Sequence, residues 1–154
     1  GDHRDLHFFP YTTLFRSTPE YPMGWSTIFS ATSTYAYYET STGGYSDPNC
    51  LKAYNSSDTE PVMFAITPPT SIDISTTRLQ FMAKGEAGIL RIGTMTDHTD
   101  EATFTSITSY TLTSDWTEYI IDLDTVTPVG GTYFLAFQAD FDFTYDYVYV
   151  DDIT

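Results

Sequence analysis

The sequence predicts an all-β fold, an antiparallel sandwich or jelly roll, and three observations support this prediction. The 154-residue chain contains 13 Tyr and 11 Phe and is rich in Thr and Ser, a composition that favours pleated, half-buried strands. Short strand-like runs alternate with turn clusters of Gly, Pro, Asn and Asp. Strong helix formers seldom cluster, so no helix of ordinary length is expected.

Eight or nine strands are expected within residues 18–154, which contain neither an internal repeat nor a linker. In two of them the alternation shows which side faces the core: Ile121 and Leu123 lie on the apolar face of one strand, and Leu135 and Phe137 on that of the next. Ten strand-like runs could supply these strands: residues 23–28, 34–40, 50–54, 61–66, 78–83, 88–95, 106–112, 116–123, 133–139 and 145–150.

The charge balance narrows the classes of partner. The formal net charge is -15, from 21 acidic and 6 basic residues, so a nucleic acid or an anionic membrane surface would be repelled. Neutral ligands, basic partners and cations such as calcium remain as candidates. No apolar run approaches the ~20 residues of a membrane-spanning helix, so membrane insertion is not expected.

The first seventeen residues are interpreted as a non-native segment. Residues 9–17, Phe-Pro-Tyr-Thr-Thr-Leu-Phe-Arg-Ser, resemble the translation of a short-read sequencing adapter, which is typical of a gene assembled from metagenomic data. The alternative is that these residues form a genuine first strand. Because we favour the adapter interpretation, we exclude residues 1–17 from the fold interpretation. Residues 18–154 are expected to be one domain excised from a longer chain.

Four short motifs follow one another along the remaining sequence. The first is Met-Gly-Trp at residues 23–25, and the second is Ile-Thr-Pro-Pro at residues 66–69 followed by Ile-Asp-Ile-Ser at residues 72–75. The third runs over residues 92–104, from Ile-Gly-Thr-Met-Thr-Asp to Thr-Phe. The fourth spans residues 116–153, where Trp-Thr-Glu-Tyr and Asp-Leu come first and Tyr-Val-Asp-Asp-Ile comes last.

In this order the motifs resemble MAM-like jelly-roll modules of the cleaved-adhesin or choice-of-anchor J type, found in secreted proteins of Bacteroidetes. The resemblance covers residues 23–154 and implies a two-sheet antiparallel jelly roll that is not itself catalytic. Such modules often accompany neighbouring peptidase, glycosidase or adhesin domains of a parent chain. The resemblance also implies a secreted or cell-surface location, although no signal peptide is visible.

The resemblance further implies a structural calcium ion at Asp151 and Asp152, which suits the oxygen ligands that calcium prefers. The alternative is a solvated strand end. One departure weakens the calcium prediction: Leu-Phe-Arg at residues 14–16 stands where the family often has an acidic segment that helps to hold the ion. A separate departure is His98, which stands where the family usually has Pro. A separate Asp-His-Thr-Asp stretch at residues 97–100 is expected to be a capped turn.

Aromatic residues are the strongest indication of ligand binding. Sugars stack their apolar faces on Tyr and Trp, and neighbouring polar groups fix their orientation. Trp116 lies on the polar face of its predicted strand, where a loop or a ligand would have to cover it. The alternative is that these side chains belong to the core or to an ordinary surface. The candidate ligand-binding residues are Tyr37, Tyr45, Trp116, Tyr145 and Asp142.

Catalysis is not predicted. Asp140 and Asp142 would share one face of a strand, as paired carboxylates of glycosidases can, but no spaced pair of Glu accompanies them. Ser-His-Asp sets, phosphate loops and zinc motifs are missing from the sequence. The single cysteine, Cys50, cannot form a disulfide within the chain and is expected to be a small buried hydrophobe.

The sequence therefore predicts a non-catalytic binding or adhesin module for a glycan or a host surface protein. The alternative is a structural spacer beside a catalytic domain, with no ligand of its own. An exposed aromatic surface would favour the first function, and burial of Trp116 and of all the clustered tyrosines would favour the second. The clustered tyrosines are Tyr35, Tyr37, Tyr38 and Tyr45 early in the chain and Tyr145, Tyr147 and Tyr149, which alternate on one face of the last strand.

Overall fold

The computed structural model describes residues 24–29, 36–46, 49–55, 63–70, 74–86, 88–126, 133–141 and 146–154. Within these ranges the helical segments are three-residue 3-10 turns, and none has the length or the apolarity to cross a membrane. The strands are β1 (Ser26–Phe29), β2 (Ala36–Thr42), β3 (Asn49–Asn55), β4 (Met63–Ile66), β5 (Arg78–Gly85), β6 (Ile89–Met95), β7 (Thr105–Thr111), β8 (Thr117–Asp122), β9 (Phe134–Asp140) and β10 (Asp146–Asp151).

The described residues form ten strands, where eight or nine were expected, and these strands make two five-stranded antiparallel sheets. The front sheet has the order β2-β3-β10-β5-β8, and the back sheet has the order β1-β4-β9-β6-β7. Since the chain passes repeatedly from one sheet to the other, strands that are neighbours in a sheet are mostly distant in sequence. The predicted two-sheet antiparallel jelly-roll sandwich is confirmed. The segment at residues 1–17 lies outside the described residues.

The core between the sheets is built from the alternate side chains that the sequence pattern assigned to it. Phe81 of β5 meets Phe137 of β9 edge to face, with 5.6 Å between ring centroids, and both side chains are fully buried. Ile121 and Leu123 are buried as predicted, and so is Leu135. Burying each such side chain contributes about 1.5–3 kcal/mol, so this layer is the main source of stability.

A second, smaller apolar cluster lies on the opposite face of the back sheet. Phe64, Ile66, Met95 and Ala136 are fully buried there. Phe104 packs edge-on against Phe64, with 5.0 Å between ring centroids. The back sheet is therefore covered on both faces in this region.

The segment that carries Phe104 begins with the predicted capped turn. Asp97 accepts hydrogen bonds from the backbone N–H and the hydroxyl of Thr99, and Asp100 accepts one from the N–H of Ala102. The Thr99 hydrogen bonds hold the pKa of the Asp97 carboxyl below its ordinary value. The capped turn predicted at residues 97–100 is therefore present.

Candidate functional site

The outward face of the front sheet carries a concentrated group of aromatic and basic side chains. Because side chains alternate along a strand, Lys52, Tyr54, Lys84, Tyr147 and Tyr149 all point away from the core, and all are half-buried. The antiparallel register pairs Tyr147 with Tyr54, and it aligns Lys52, Tyr149 and Lys84 in one row across β3, β10 and β5. Three adjacent strands thus contribute to one surface.

Five rings form a continuous chain of contacts across this surface, which we call the aromatic platform: Tyr45, Trp116, Tyr149, Tyr147 and Tyr54. The centroid distances along the chain are 6.1 Å, 6.3 Å, 6.1 Å and 4.7 Å, in that order. The two tyrosine pairs are stacked, whereas Trp116 meets both of its neighbours edge-on. The platform can therefore offer several ring surfaces to one extended ligand.

Two lysines lie over the rings of the platform. The Lys84 ammonium is 4.8 Å from the Trp116 ring centroid and 5.0 Å from that of Tyr149. The Lys52 ammonium is 4.9 Å from the Tyr147 centroid and 5.6 Å from that of Tyr54. These distances lie within the range of cation–π attraction, which orients both the ammonium groups and the rings.

A loop from Gly43 to Ser46 crosses one end of the front sheet and brings Tyr45 to the platform. The backbone N–H of Ser46 donates to Oδ2 of Asp151 over 3.1 Å, and the Ser46 hydroxyl donates to Oδ1 of Asp152. Gly43 has φ +91°, which glycine adopts without strain. Tyr45 remains exposed, at 55% of its maximal area.

The close approach of this loop explains the glycine at position 44. A Cβ on Gly44 would lie 2.6 Å from Oδ2 of Asp151 and 2.8 Å from the carbonyl oxygen of Asn49. Both distances are shorter than a carbon atom tolerates, so a larger residue would displace the loop. Seating the loop against β3 and β10 therefore depends on this residue.

Two ionisable groups with outward positions are buried at this end of the sheet. Burial raises the pKa of the Asp151 carboxyl, and hydrogen bonds from the backbone N–H groups of Asp152, Ser46 and Tyr45 partly offset that rise. Burial also raises the pKa of the Cys50 thiol to about 12. Cys50 is a free, fully buried cysteine, as predicted. Its thiol is therefore not a nucleophile at neutral pH.

Asp151, one of the two predicted calcium ligands, accepts hydrogen bonds from backbone N–H groups in the described structure. Oδ2 of Asp151 accepts from the Ser46 N–H, and its Oδ1 accepts from the Asp152 N–H over 2.8 Å. In the described ranges no three His, Cys, Asp or Glu side chains converge as a metal site. These residues alone do not fit a calcium ion, which needs six to eight oxygen ligands. Calcium at Asp151 and Asp152 stays a prediction that requires ligands from outside the described ranges.

Of the five candidate ligand-binding residues, the structure brings Tyr45 and Trp116 into contact. Tyr37 lies in β2 with its Cα opposite that of Tyr54, and its side chain is outside the described part of the chain. Tyr145 and Asp142 also lie outside it. The role of all five in binding stays a prediction.

Sequence reasoning missed Lys52, Tyr54 and Lys84 as members of the site. Their only signal was their place at alternate positions of β3 and β5. That signal has no meaning until the order of the strands is known.

Three described carboxylates of the front and back sheets are engaged by neighbouring side chains. Asp140 pairs with Arg91, and Asp122 accepts from Arg78 over 2.8 Å. Glu118 accepts from the Gln80 amide over 2.6 Å. This arrangement differs from a pair of carboxylates facing each other across a cleft, which glycoside hydrolysis requires.

Comparison with known proteins identifies the fold. No protein-family model matches the chain, and neither does any curated protein sequence. Among solved structures, it is similar to the K1 cleaved adhesin domain of Lys-gingipain from Porphyromonas gingivalis W83, with a TM-score of 0.69 and 18% identity over 86% of this chain and 89% of that chain. It is also similar to the K2 cleaved adhesin domain of Lys-gingipain, with a TM-score of 0.71 and 16% identity over 91% of this chain and 93% of that chain.

A third similar structure is a family 29 carbohydrate-binding module complexed with mannohexaose. Its TM-score is 0.56, with 12% identity over 88% of this chain and 82% of that chain. The resemblance inferred from the sequence motifs is therefore matched in three dimensions. The chain has the jelly-roll fold that cleaved adhesin domains share with carbohydrate-binding modules.

Proposed function

We propose that this chain is a non-catalytic binding module of an extracellular or cell-surface protein, and that it binds glycans on the aromatic platform. The observation that carries the proposal is the unbroken chain of five rings on an outward sheet face. The C–H faces of pyranose rings pack on aromatic faces, and phenol and indole groups supply hydrogen bonds beside them.

The accessibility of the platform supports binding over the spacer alternative. Tyr45 is exposed, and Trp116, Tyr149, Tyr147 and Tyr54 are only half-buried. Leaving this apolar area accessible lowers solubility, and such patches on soluble proteins commonly mark interaction sites. A spacer domain that binds no ligand has no use for an accessible aromatic surface.

The kinds of protein that share the fold also support the proposal. They include adhesin domains and a carbohydrate-binding module complexed with an oligosaccharide. Neighbours of these kinds support an extracellular or cell-surface location, and so does the acidic, Thr-rich composition of this chain. A host surface protein bound at the same platform is the second kind of partner, and a neighbouring domain of a parent chain is a third.

A glycan array probed with the full chain, followed by calorimetric titration of the best ligands, tests the proposal. Trp116→Ala is expected to weaken binding at least tenfold, because a central aromatic anchor typically contributes about 2 kcal/mol or more. Ile120→Ala is the matched control, since Ile120 is an exposed apolar residue on the outward face of β8, away from the platform. A chain that binds no glycan, or equal losses in both variants, would exclude the proposal.

Calcium is tested separately from glycan binding. If an ion binds at Asp151 and Asp152, excess calcium raises the melting temperature relative to chelator, by ligand linkage. Identical melting temperatures with excess calcium and with chelator would contradict the predicted calcium site.

A further inference from the structure

The basic residues of the chain are unevenly distributed. The sequence contains two lysines, Lys52 and Lys84, and both lie on the aromatic platform. The two arginines in the described ranges lie elsewhere, where Arg78 pairs with Asp122 and Arg91 with Asp140. A chain with net charge -15 thus places both of its lysines at its candidate binding surface.

The two lysines flank the centre of the platform. In the row Lys52, Tyr149, Lys84, each lysine Cα lies opposite that of Tyr149, one strand to either side. Two strand spacings separate the lysine backbones, which is about 10 Å. A sugar stacked on the Tyr147–Tyr149 pair would therefore have the Lys84 ammonium group within reach on one side, whereas on the other side the Cα of Glu39 lies opposite that of Lys52.

The position of the lysines indicates which charged group a ligand of the platform carries. A neutral sugar needs aromatic faces and hydrogen bonds, and neither requires a positive charge. An ammonium group held against rings is partly shielded from water, so it attracts an anion more strongly than a fully solvated lysine does. A carboxylate on a stacked sugar would therefore find charge-assisted hydrogen-bond donors at the edge of the platform.

We propose that the aromatic platform prefers sugars that bear a carboxylate, such as uronic acids, over their neutral counterparts. This inference rests on the glycan-binding function proposed above. The remaining acidic surface repels long polyanions, so short acidic oligosaccharides are the expected ligands. The preference should weaken as the ionic strength rises, because the contribution of the lysines is electrostatic.

The experiment uses two trisaccharides that differ only at C6, cellotriose and the β-1,4-linked trisaccharide of glucuronic acid. Both are titrated into the full chain and into the Lys84→Met and Lys52→Met variants, at low and at physiological ionic strength. Methionine keeps most of the apolar stem and removes the charge. Arg78→Met is the matched control, since it removes one positive charge from the outward face of the same sheet, six residues from Lys84 along β5.

The unmodified chain is expected to bind the acidic trisaccharide about tenfold or more tightly than cellotriose, as charge-assisted hydrogen bonds allow. Lys84→Met should bring the ratio of the two affinities close to one, while Arg78→Met should leave that ratio unchanged.

Three results would overturn the inference. Equal affinity of the unmodified chain for both sugars refutes the carboxylate preference and leaves glycan binding standing. A parallel gain or loss for both sugars in Lys84→Met would mean that the lysine covers or orients the rings. If the chain binds neither these sugars nor any on the array, the proposed function falls and the preference falls with it.

Discussion

The outward faces of the two sheets both carry aromatic clusters, yet one cluster is sealed and the other is accessible. On the back sheet, Phe64, Ile66 and Met95 are fully buried beneath covering groups that include Phe104. On the front sheet, Tyr147 and Tyr149 are half-buried and lie beside lysines. The contrast follows residue type rather than strand pattern, because both sets occupy alternate positions of paired strands.

The difference shows how one architecture separates stability from binding. Phe and Met have no polar group to present to water, so a layer built from them gains free energy by being covered. Tyr, Trp and Lys combine apolar area with a polar tip and can remain at a surface with their polar groups hydrated. The back face therefore serves the fold, and the front face is available to a ligand.

The largest expected effect concerns the reactivity of Cys50, which lies at the end of the front face that the Gly43–Ser46 loop crosses. Burial raises its pKa from 9.0 to about 12, so the thiolate fraction near neutral pH should be lower by roughly a thousandfold than in the unfolded chain. A maleimide or disulfide reagent should label Cys50 only after denaturation. Rapid labelling of the folded protein would show that this end of the face is open.

The next effect compares one residue from each face. Phe64→Ala should lower the free energy of unfolding by about 3–5 kcal/mol, because it leaves a cavity in a sealed cluster. Tyr147→Ala should lower it by only about 1–2 kcal/mol, since the Tyr147 side chain is half-buried and loses mainly its contacts with Lys52 and with the rings of Tyr54 and Tyr149. Urea titration measures both values, and equal losses would remove the distinction between the faces.

A smaller effect is expected where the loop closes part of the front face. Asp151→Asn removes an acceptor for a backbone N–H, so the free energy of unfolding should fall by about 1–3 kcal/mol. The folded pKa of Asp151 is raised, so the folded state binds this proton more readily than the unfolded state does. The free energy of unfolding of the unmodified chain should therefore fall as the pH rises from 3.8 to that raised pKa.

The free energies of unfolding of the unmodified chain and of Asp151→Asn should accordingly differ more near pH 4 than at pH 7. Urea titration at both pH values measures it. Asp122→Asn is the control, because Asp122 makes an exposed ion pair with Arg78 and should change stability by about 1 kcal/mol or less. A difference that does not depend on pH would contradict the assigned direction of the pKa shift.

The smallest effect is expected away from the platform on the same face. Ile120→Ser replaces an exposed apolar side chain of β8, so the free energy of unfolding should change by no more than about 0.5 kcal/mol. Denaturation and sugar titration together check this. A clear loss of binding would extend the functional surface beyond the five rings.

Alternation alone predicted the layers of the molecule. It assigned Ile121 and Leu135 to the core correctly, because a side-chain period of two needs no knowledge of which strands are neighbours. The site was harder to predict. Residue type singled out Tyr45 and Trp116, but their contact depends on a loop held by Asp151, which lies 105 residues from Ser46 in the sequence.

The lysines could not be assigned to the site from the sequence, for a related reason. Lys84 meets Tyr149 only because β10 pairs with β5, and Lys52 joins them only because β10 also pairs with β3. Register between strands that are far apart in sequence is set by the whole fold. A pattern within one strand does not contain it.

The central strand β10 has a consequence for how this module can change. Its inward residues Val148 and Val150 belong to the core, while its outward residues Tyr147 and Tyr149 belong to the platform. The two sets share a backbone that is hydrogen-bonded on both sides. Replacing the outward pair should alter the platform without repacking the interior, so under the proposed function this strand is a suitable position for randomised libraries in the engineering of new sugar specificities.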